Sequence, residues 1–291
     1  MGKYSCSEIK EKGINSYFAH PYTQLCIKPL LPVENGNKFK LEGEGFMYTG
    51  KIRQILLITD GCSNQGDNPI AMAALAKEQG ITVNVIGVME RDVIDEKGVT
   101  EIEEIALSGG GVSQIVYAQQ LSQTVQMVTR KGMTQTIQGV VNRELQQILG
   151  RSKTMEDLPP EKRGEVMEVV DELGETVELD VLILVDSSAS MKHKLPTVKE
   201  ALIDLSLSLN ARSGENNFSV FVFPGKKNDV EKLLDWTPNL QSLTSIFSQL
   251  TTGGVTPTGP AIKAALSSFN QKKSLRSLLS SDDESYFEES I

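Results

Sequence analysis

Short apolar runs alternate along this chain with longer segments of helical periodicity. The clearest runs are residues 55–58, 81–88 and 181–185, and each is followed by a polar or glycine-containing loop. Strands that are buried on both faces consist of nearly continuous apolar residues, and helices of roughly 10 to 15 residues between such strands are typical of parallel sheets. The pattern therefore predicts an α/β fold built on a doubly wound, mainly parallel sheet.

The predicted strands fall into two groups of three, and together they predict a six-stranded sheet. Residues 55–58, 81–88 and 114–118 make up the first group, and residues 181–185, 218–223 and 230–236 the second, with the last strand at an edge. Between the groups, apolar residues at spacings of three and four from Leu121 to Ile148 predict a helical region, which Gly132 is expected to divide. A charged linker follows, in which residues 161–173 predict one more helix.

Changes in this pattern define the expected segments of the chain. Residues 1–50 contain three prolines and an Asn-Gly-Asn turn in place of periodic segments, so we expect a disordered extension, within which Met47 is an alternative start site. Residues 51–133 and 179–270 hold the two strand-and-helix groups, and residues 134–178 a helical connector. Residues 271–291 form an acidic segment that is expected to be a flexible tail.

The charge balance and the cysteines exclude several classes of protein. With 29 Lys and Arg against 38 Asp and Glu, the chain carries a net charge of −9 and lacks the basic surface that nucleic acid or an anionic membrane requires. No apolar run approaches the ~20 residues of a membrane span, and no secretory signal follows the first lysines. Three widely spaced cysteines suit neither a disulfide framework nor a zinc site, so we expect a cytoplasmic protein.

Polar residues with oxygen donors follow one of the strongest predicted strands. Asp186, Ser188 and Ser190 come directly after residues 181–185, at the carboxyl end of the strand, where open α/β sheets bind ligands. One carboxylate and two hydroxyls are suitable ligands for a hard cation such as Mg²⁺. The alternative interpretation is that these are turn and helix-capping residues, which the same residue types favour.

Two further loops strengthen the metal interpretation. Thr256 adds a hydroxyl from a glycine-rich loop that precedes a predicted helix, and Asp60 adds a second carboxylate directly after the strand at residues 55–58. Three loops that carry oxygen ligands at strand or helix ends form a more specific pattern than the D-x-S-x-S sequence alone.

These three segments resemble the motifs of one known family. Residues 182–191 (LILVDSSASM) resemble the metal-site motif of von Willebrand factor type A (VWA) domains, residues 253–259 (GGVTPTG) its threonine loop, and residues 55–61 (ILLITDG) its T-D-G strand end. The resemblance is strongest to the bacterial intracellular branch. Transferred residue by residue, it implies a site for Mg²⁺, or alternatively Mn²⁺, whose ligands are Asp186, Ser188, Ser190, Thr256 and Asp60.

The order of the motifs departs from the family pattern. In ordinary VWA domains the D-x-S-x-S strand precedes the threonine loop and the T-D-G strand, whereas here the T-D-G strand comes first. We interpret this as one circularly permuted VWA domain, whose original termini are joined through residues 121–178. The rival interpretation is a pair of degenerate half-domains that are completed by dimerisation.

The resemblance implies a binding protein rather than an enzyme. A partner's Asp or Glu carboxylate is expected to complete the coordination of the metal ion. An alternative role by analogy is that of a VWA adaptor that works with an AAA+ ATPase in protein or metallocofactor maturation. A metal-dependent phosphohydrolase is a third reading, but it requires a general base near the ion that the sequence does not identify.

Overall fold

The computed structural model describes residues 39–42, 45–48, 50–89, 96–149, 154–248, 250 and 252–283. The strands and helices in these ranges are β1 (Phe39–Glu42), β2 (Gly45–Tyr48), β3 (Lys51–Thr59), α1 (Pro69–Glu78), β4 (Ile81–Met89), α2 (Glu96–Ser108), β5 (Gly110–Tyr117), α3 (Leu121–Leu149), α4 (Pro160–Thr176), β6 (Glu178–Asp186), α5 (Leu195–Leu209), β7 (Asn216–Phe223), β8 (Glu231–Thr237), α6 (Leu243–Phe247) and α7 (Thr258–Asp283). Among these helices, none has a stretch long and apolar enough to cross a membrane.

Strands from both parts of the chain form one six-stranded sheet in the order β5-β4-β3-β6-β7-β8. All neighbouring pairs are parallel except β7 and β8, which are antiparallel. The two groups of strands meet at the centre, where β3 pairs with β6 and Ile55 lies opposite Leu182. The predicted α/β class and the mainly parallel six-stranded sheet, with its last strand at an edge, are therefore confirmed.

The central strands are apolar on both faces because helices cover both sides of the sheet. Helices α3, α4 and α5 pack on one face, and α1, α2 and α7 on the other. On β3, Leu56 and Ile58 contribute to the first core, and Ile55 and Leu57 to the second. Full burial of one such side chain stabilises the fold by roughly 1.5–3 kcal/mol, so these contacts hold the central strands firmly between the two layers of helices.

Helix α3 continues through Gly132, so the expected division of this helix at Gly132 is wrong. A Cβ atom on Gly132 would lie 2.6 Å from both Nδ2 and Oδ1 of Asn84. The buried Asn84 side chain donates to Gln54 Oε1 and accepts from the N–H of Val112, so it has little freedom to move away. Gly132 thus allows the helix to approach the sheet closely, a role that the sequence alone does not distinguish from a helix end.

The connector expected at residues 134–178 is part of the helical layer and does not begin at a structural boundary. Its first residues continue α3, and α4 packs on the same core through Val170 and Leu173. The buried Arg212 fixes the end of α4 by donating to the carbonyl groups of Gly174 and Val177, each at 2.7 Å. The two groups of strands are therefore joined by helices that belong to the fold.

Regular structure also extends into both expected terminal segments. Within residues 1–50, β1 and β2 form a two-stranded antiparallel sheet, and residues 1–38 lie outside the described residues. The alternation Phe39-Lys40-Leu41-Glu42 is a strand signal that is short enough to be missed. Within the expected tail at residues 271–291, α7 continues to Asp283, since no glycine or proline follows Pro260, and residues 284–291 are not described.

Candidate metal centre

The pairing of β3 with β6 brings the two carboxylates of the candidate site to the same edge of the sheet. Asp186 is the last residue of β6, and Asp60 directly follows β3. The glycine-rich loop reaches the same edge, because Ser188 forms a parallel bridge with Gly253 and the N–H of Gly253 donates to the carbonyl of Ser187 at 3.0 Å. Segments that are far apart in the sequence thus meet at the carboxyl ends of the two central strands.

Asp186 is completely buried and held by two hydrogen bonds. Its Oδ1 accepts from the N–H of Ser188 at 2.7 Å, and its Oδ2 accepts from the hydroxyl of Thr59 at 2.7 Å. The first bond fixes the loop that follows β6, and the second links β6 to the end of β3. These two hydrogen bonds therefore give Asp186 a defined orientation.

A chain of hydrogen bonds connects the serines to the second carboxylate. The hydroxyl groups of Ser188 and Ser190 are 3.1 Å apart, and Ser190 donates to Asp60 Oδ1 at 2.9 Å. The other oxygen of Asp60 accepts from Lys194 Nζ at 2.6 Å. Four of the five predicted ligands are thus joined, directly or through the Ser188 backbone, into one network.

Thr256, the fifth predicted ligand, is positioned by a reciprocal contact with the loop after β3. The N–H of Thr256 donates to Asn64 Oδ1 at 2.8 Å, and the N–H of Asn64 donates to the carbonyl oxygen of Thr256 at 3.1 Å. Ser63 adds a hydroxyl bond of 3.3 Å to the same carbonyl, and its own N–H donates to Glu101 of α2 at 2.7 Å. The threonine loop is therefore held by the segment that follows Asp60.

The donor set fits a hard divalent cation. It combines two carboxylates with hydroxyl oxygens that lie within hydrogen-bond distance of one another, and oxygen ligands of this kind suit Mg²⁺ and Mn²⁺. In the described ranges, no group of three or more His, Cys, Asp or Glu side chains is arranged to hold a metal, so this site depends on its hydroxyls. The buried Oγ1 of Thr258, two residues after Thr256, also has no hydrogen-bond partner in the described part of the chain.

Sequence reasoning missed three residues that organise this site. Thr59 belongs to the T-D-G motif, so its bond to Asp186 was accessible from the expected adjacency of the two strands. Asn64 lies in a polar loop, where no pattern distinguishes it from its neighbours. Lys194 belongs to a Lys-His-Lys cluster that is typical of an exposed loop, yet its side chain is only 8% exposed.

Burial raises the pKa of Asp186 from 3.8 to about 6. The hydrogen bonds from Ser188 and Thr59 act in the opposite direction by stabilising the carboxylate, while the charge of Asp60 raises the pKa further. Because the folded-state pKa is above the unfolded one, ionisation of Asp186 destabilises the metal-free fold, and the penalty grows as the pH rises from about 4 to 6. A bound cation would offset it, since it stabilises the ionised form.

Stabilisation by Mg²⁺ is accordingly expected to depend on pH. At pH 7.5 Asp186 is ionised, whereas at pH 5 about one molecule in ten carries the carboxylate, so the apparent affinity should fall about tenfold. Thermal unfolding in Mg²⁺ and in EDTA between pH 5 and 8 measures this difference. An equal Mg²⁺-induced increase in Tm at both ends of the range would contradict the assignment of Asp186 as a ligand.

The sheet order and the three converging loops define a VWA domain, and the comparisons agree. The model of the von Willebrand factor type A domain family matches residues 181–282, which contain four of the five predicted ligands, while Asp60 precedes the matched segment. The chain belongs to this family. That the motif order arose by circular permutation stays our hypothesis; in the structure itself, both strand groups share one sheet.

Two relatives are similar over most of their length. The uncharacterized protein YabS of Bacillus subtilis (strain 168) is 67% identical over 243 residues, which cover 84% of this chain and 99% of YabS. The crystal structure of an uncharacterized protein from Alicyclobacillus acidocaldarius subsp. acidocaldarius DSM 446 matches with a TM-score of 0.71 and 43% identity, covering 77% of this chain and 95% of that one.

Proposed function

We propose that this protein is a cytoplasmic module that binds a partner protein through a divalent cation, Mg²⁺ or Mn²⁺, held by Asp186, Ser188, Ser190, Thr256 and Asp60. The observation that carries the proposal is the continuous network of hydrogen bonds from Asp186 through the serines to Asp60. Such a network brings hydroxyl and carboxylate oxygens from the loops after β3 and β6 close together, which favours their sharing one cation.

The ligand set explains why a partner's carboxylate is the expected sixth ligand. Mg²⁺ takes six oxygens, and the five side chains of this site leave at least one position open. Hydroxyl ligands are neutral, so the ion keeps more of its positive charge than it would in a site made of carboxylates. An Asp or Glu side chain of the partner is therefore the favoured occupant.

A basic cavity beside the candidate site supports an acidic partner. A pocket of about 260 Å³ lies between the start of α5 and the segment around α6, and it is lined by Lys192, Leu195, Pro196, Lys199, Thr244, Phe247, Ser248, Leu250 and Thr252. Its two lysines have no acidic side chain among the lining residues, and Phe247 and Leu250 add apolar surface. Lys192 follows Ser190 by two residues, and Thr252 precedes Gly253, which bridges to Ser188, so both walls of the pocket are connected directly to the proposed metal site. The complementary partner segment carries acidic residues next to an apolar side chain.

Pull-down experiments with and without chelator test this function. The immobilised protein is expected to retain a partner from a lysate of the source organism in Mg²⁺, to lose it in EDTA, and to recover it when Mg²⁺ is restored. The Asp186→Asn variant should retain nothing specific, and mass spectrometry identifies the retained protein. Partners that are held equally in EDTA, or equally by the variant, would refute the proposal, as would turnover of phosphate esters in Mg²⁺ or Mn²⁺ by the purified protein.

A further inference from the structure

Lys194 places a buried positive charge directly on one of the proposed metal ligands. Its Nζ lies 2.6 Å from Asp60 Oδ2, and the two side chains are only 8% and 3% exposed. The backbone of Lys194 is fixed as well, because its N–H donates to the carbonyl of Met191 at 2.8 Å and its own carbonyl accepts from Val198 at the start of α5. The ammonium group is therefore built into the site.

This ion pair changes the charge of the site. Asp60 and Asp186 supply two negative charges, and Lys194 cancels one of them, so the three side chains sum to −1 instead of −2. A bound divalent cation then gives a site of charge +1, whereas the same site without the lysine would be neutral. Charges that are buried and close together are weakly screened, so this difference acts on the affinity of the site for both its ion and an anion.

We propose that Lys194 is a specificity-determining residue that weakens the hold of the site on its metal ion and strengthens the attraction of the loaded site for a carboxylate. The inference rests on the proposed function of the metal centre and deepens it. Lys194 repels the cation, since both are positive, and it competes with the cation for Asp60. For the same reason it keeps the loaded site positive, which favours an acidic partner over a neutral one.

The first measurement compares metal affinities, with Mn²⁺ as the probe and electron paramagnetic resonance to count free ions. Lys194→Met, which removes the charge at similar length, should bind Mn²⁺ at least about tenfold more tightly, because even water-like screening leaves a repulsion of that order at such close range. Lys194→Gln keeps a hydrogen-bond donor for Asp60 and should show the same direction. Lys194→Arg should remain within about twofold of the unmodified protein. So should the control Lys162→Met, which removes an exposed lysine of α4 that pairs with Glu165.

The second measurement compares carboxylate affinities. Acetate is titrated into each Mn²⁺-saturated protein while the proton relaxation of metal-bound water is followed. Lys194→Met and Lys194→Gln should bind acetate at least about threefold more weakly, whereas Lys194→Arg should not. Opposite changes in the two affinities are the signature of a charge effect, because damage to the fold would weaken both.

The outcomes separate this inference from the proposed function. If the unmodified protein binds Mn²⁺ and both neutral variants bind it equally or more weakly, Lys194 has only a structural role and the inference is overturned while the metal site stands. If the unmodified protein binds no Mn²⁺, the proposed function itself fails, and the inference fails with it. Thermal unfolding in EDTA shows which variants are folded.

Discussion

Replacing either Asp186 or Asp60 by asparagine is expected to abolish the stabilisation of this protein by Mg²⁺. A ligand that is present at about one hundred times its dissociation constant stabilises a folded protein by about 2.7 kcal/mol. For a domain of this size, that corresponds to an increase in Tm of roughly 5–11 °C. Thermal unfolding in Mg²⁺ and in EDTA measures the increase. Each variant should show none, since each removes the negative charge of a proposed metal ligand.

Asp235→Asn is the matched control, because Asp235 is an exposed aspartate on β8 and its 3.3 Å pair with Lys232 is also exposed. It should respond to Mg²⁺ like the unmodified protein. The Tm in EDTA separates loss of metal binding from loss of the fold: Asp186→Asn keeps the shape of the side chain, so its metal-free fold should survive. A response to Mg²⁺ that is lost in Asp186→Asn but kept in Asp60→Asn would disprove a single site shared by β3 and β6.

The two aspartates illustrate how far the sequence predicts the site. Each lies at the carboxyl end of an apolar strand, and parallel strands place their carboxyl ends at one edge of the sheet. The sequence therefore predicts that both side chains lie at that edge. Chain order alone does not predict their adjacency, which only the family resemblance implied, because they are 126 residues apart. It depends on the pairing of β3 with β6, which is a non-local choice made by packing.

Other features of the fold depend on contacts that a sequence pattern does not record. Gly132 looks like a helix end, yet it is a point of close approach whose reason lies in Asn84 on β4. Lys194 looks like an exposed lysine, yet its partner Asp60 lies 134 residues before it and buries its charge. In both cases the residue type alone indicates the wrong environment, because a neighbour that only the folded chain supplies decides the outcome.

The loop between β3 and α1 packs tightly against the start of α7, and this contact has little room for added atoms. A Cβ atom on Gly259 would lie 1.8 Å from the carbonyl oxygen of Asp67 and 2.5 Å from its carbonyl carbon. Both atoms belong to the backbone, so neither can rotate away as a side chain would. On the other side of the contact, a Cβ atom on Gly66 would lie 2.3 Å from Cγ of Pro260, which is also too close.

Gly259→Ala is therefore expected to destabilise the protein by about 3 kcal/mol or more, the upper part of the range for overpacked sites, and to weaken Mg²⁺ binding at the same time. Helix propensity alone predicts the opposite sign, since alanine is favoured over glycine inside a helix by up to about 1 kcal/mol. The clash is expected to outweigh helix propensity because the backbone of Asp67 can move away only if its whole loop moves. The same loop carries Asn64, which positions Thr256, so Mg²⁺ binding should weaken as well. Urea unfolding with and without Mg²⁺ measures both effects. Gly254→Ala in the glycine-rich loop is the control, because it has open space at its Cβ and should change stability by less than about 0.5 kcal/mol. A Gly259→Ala protein as stable as the unmodified one would show that the two segments can move apart without cost.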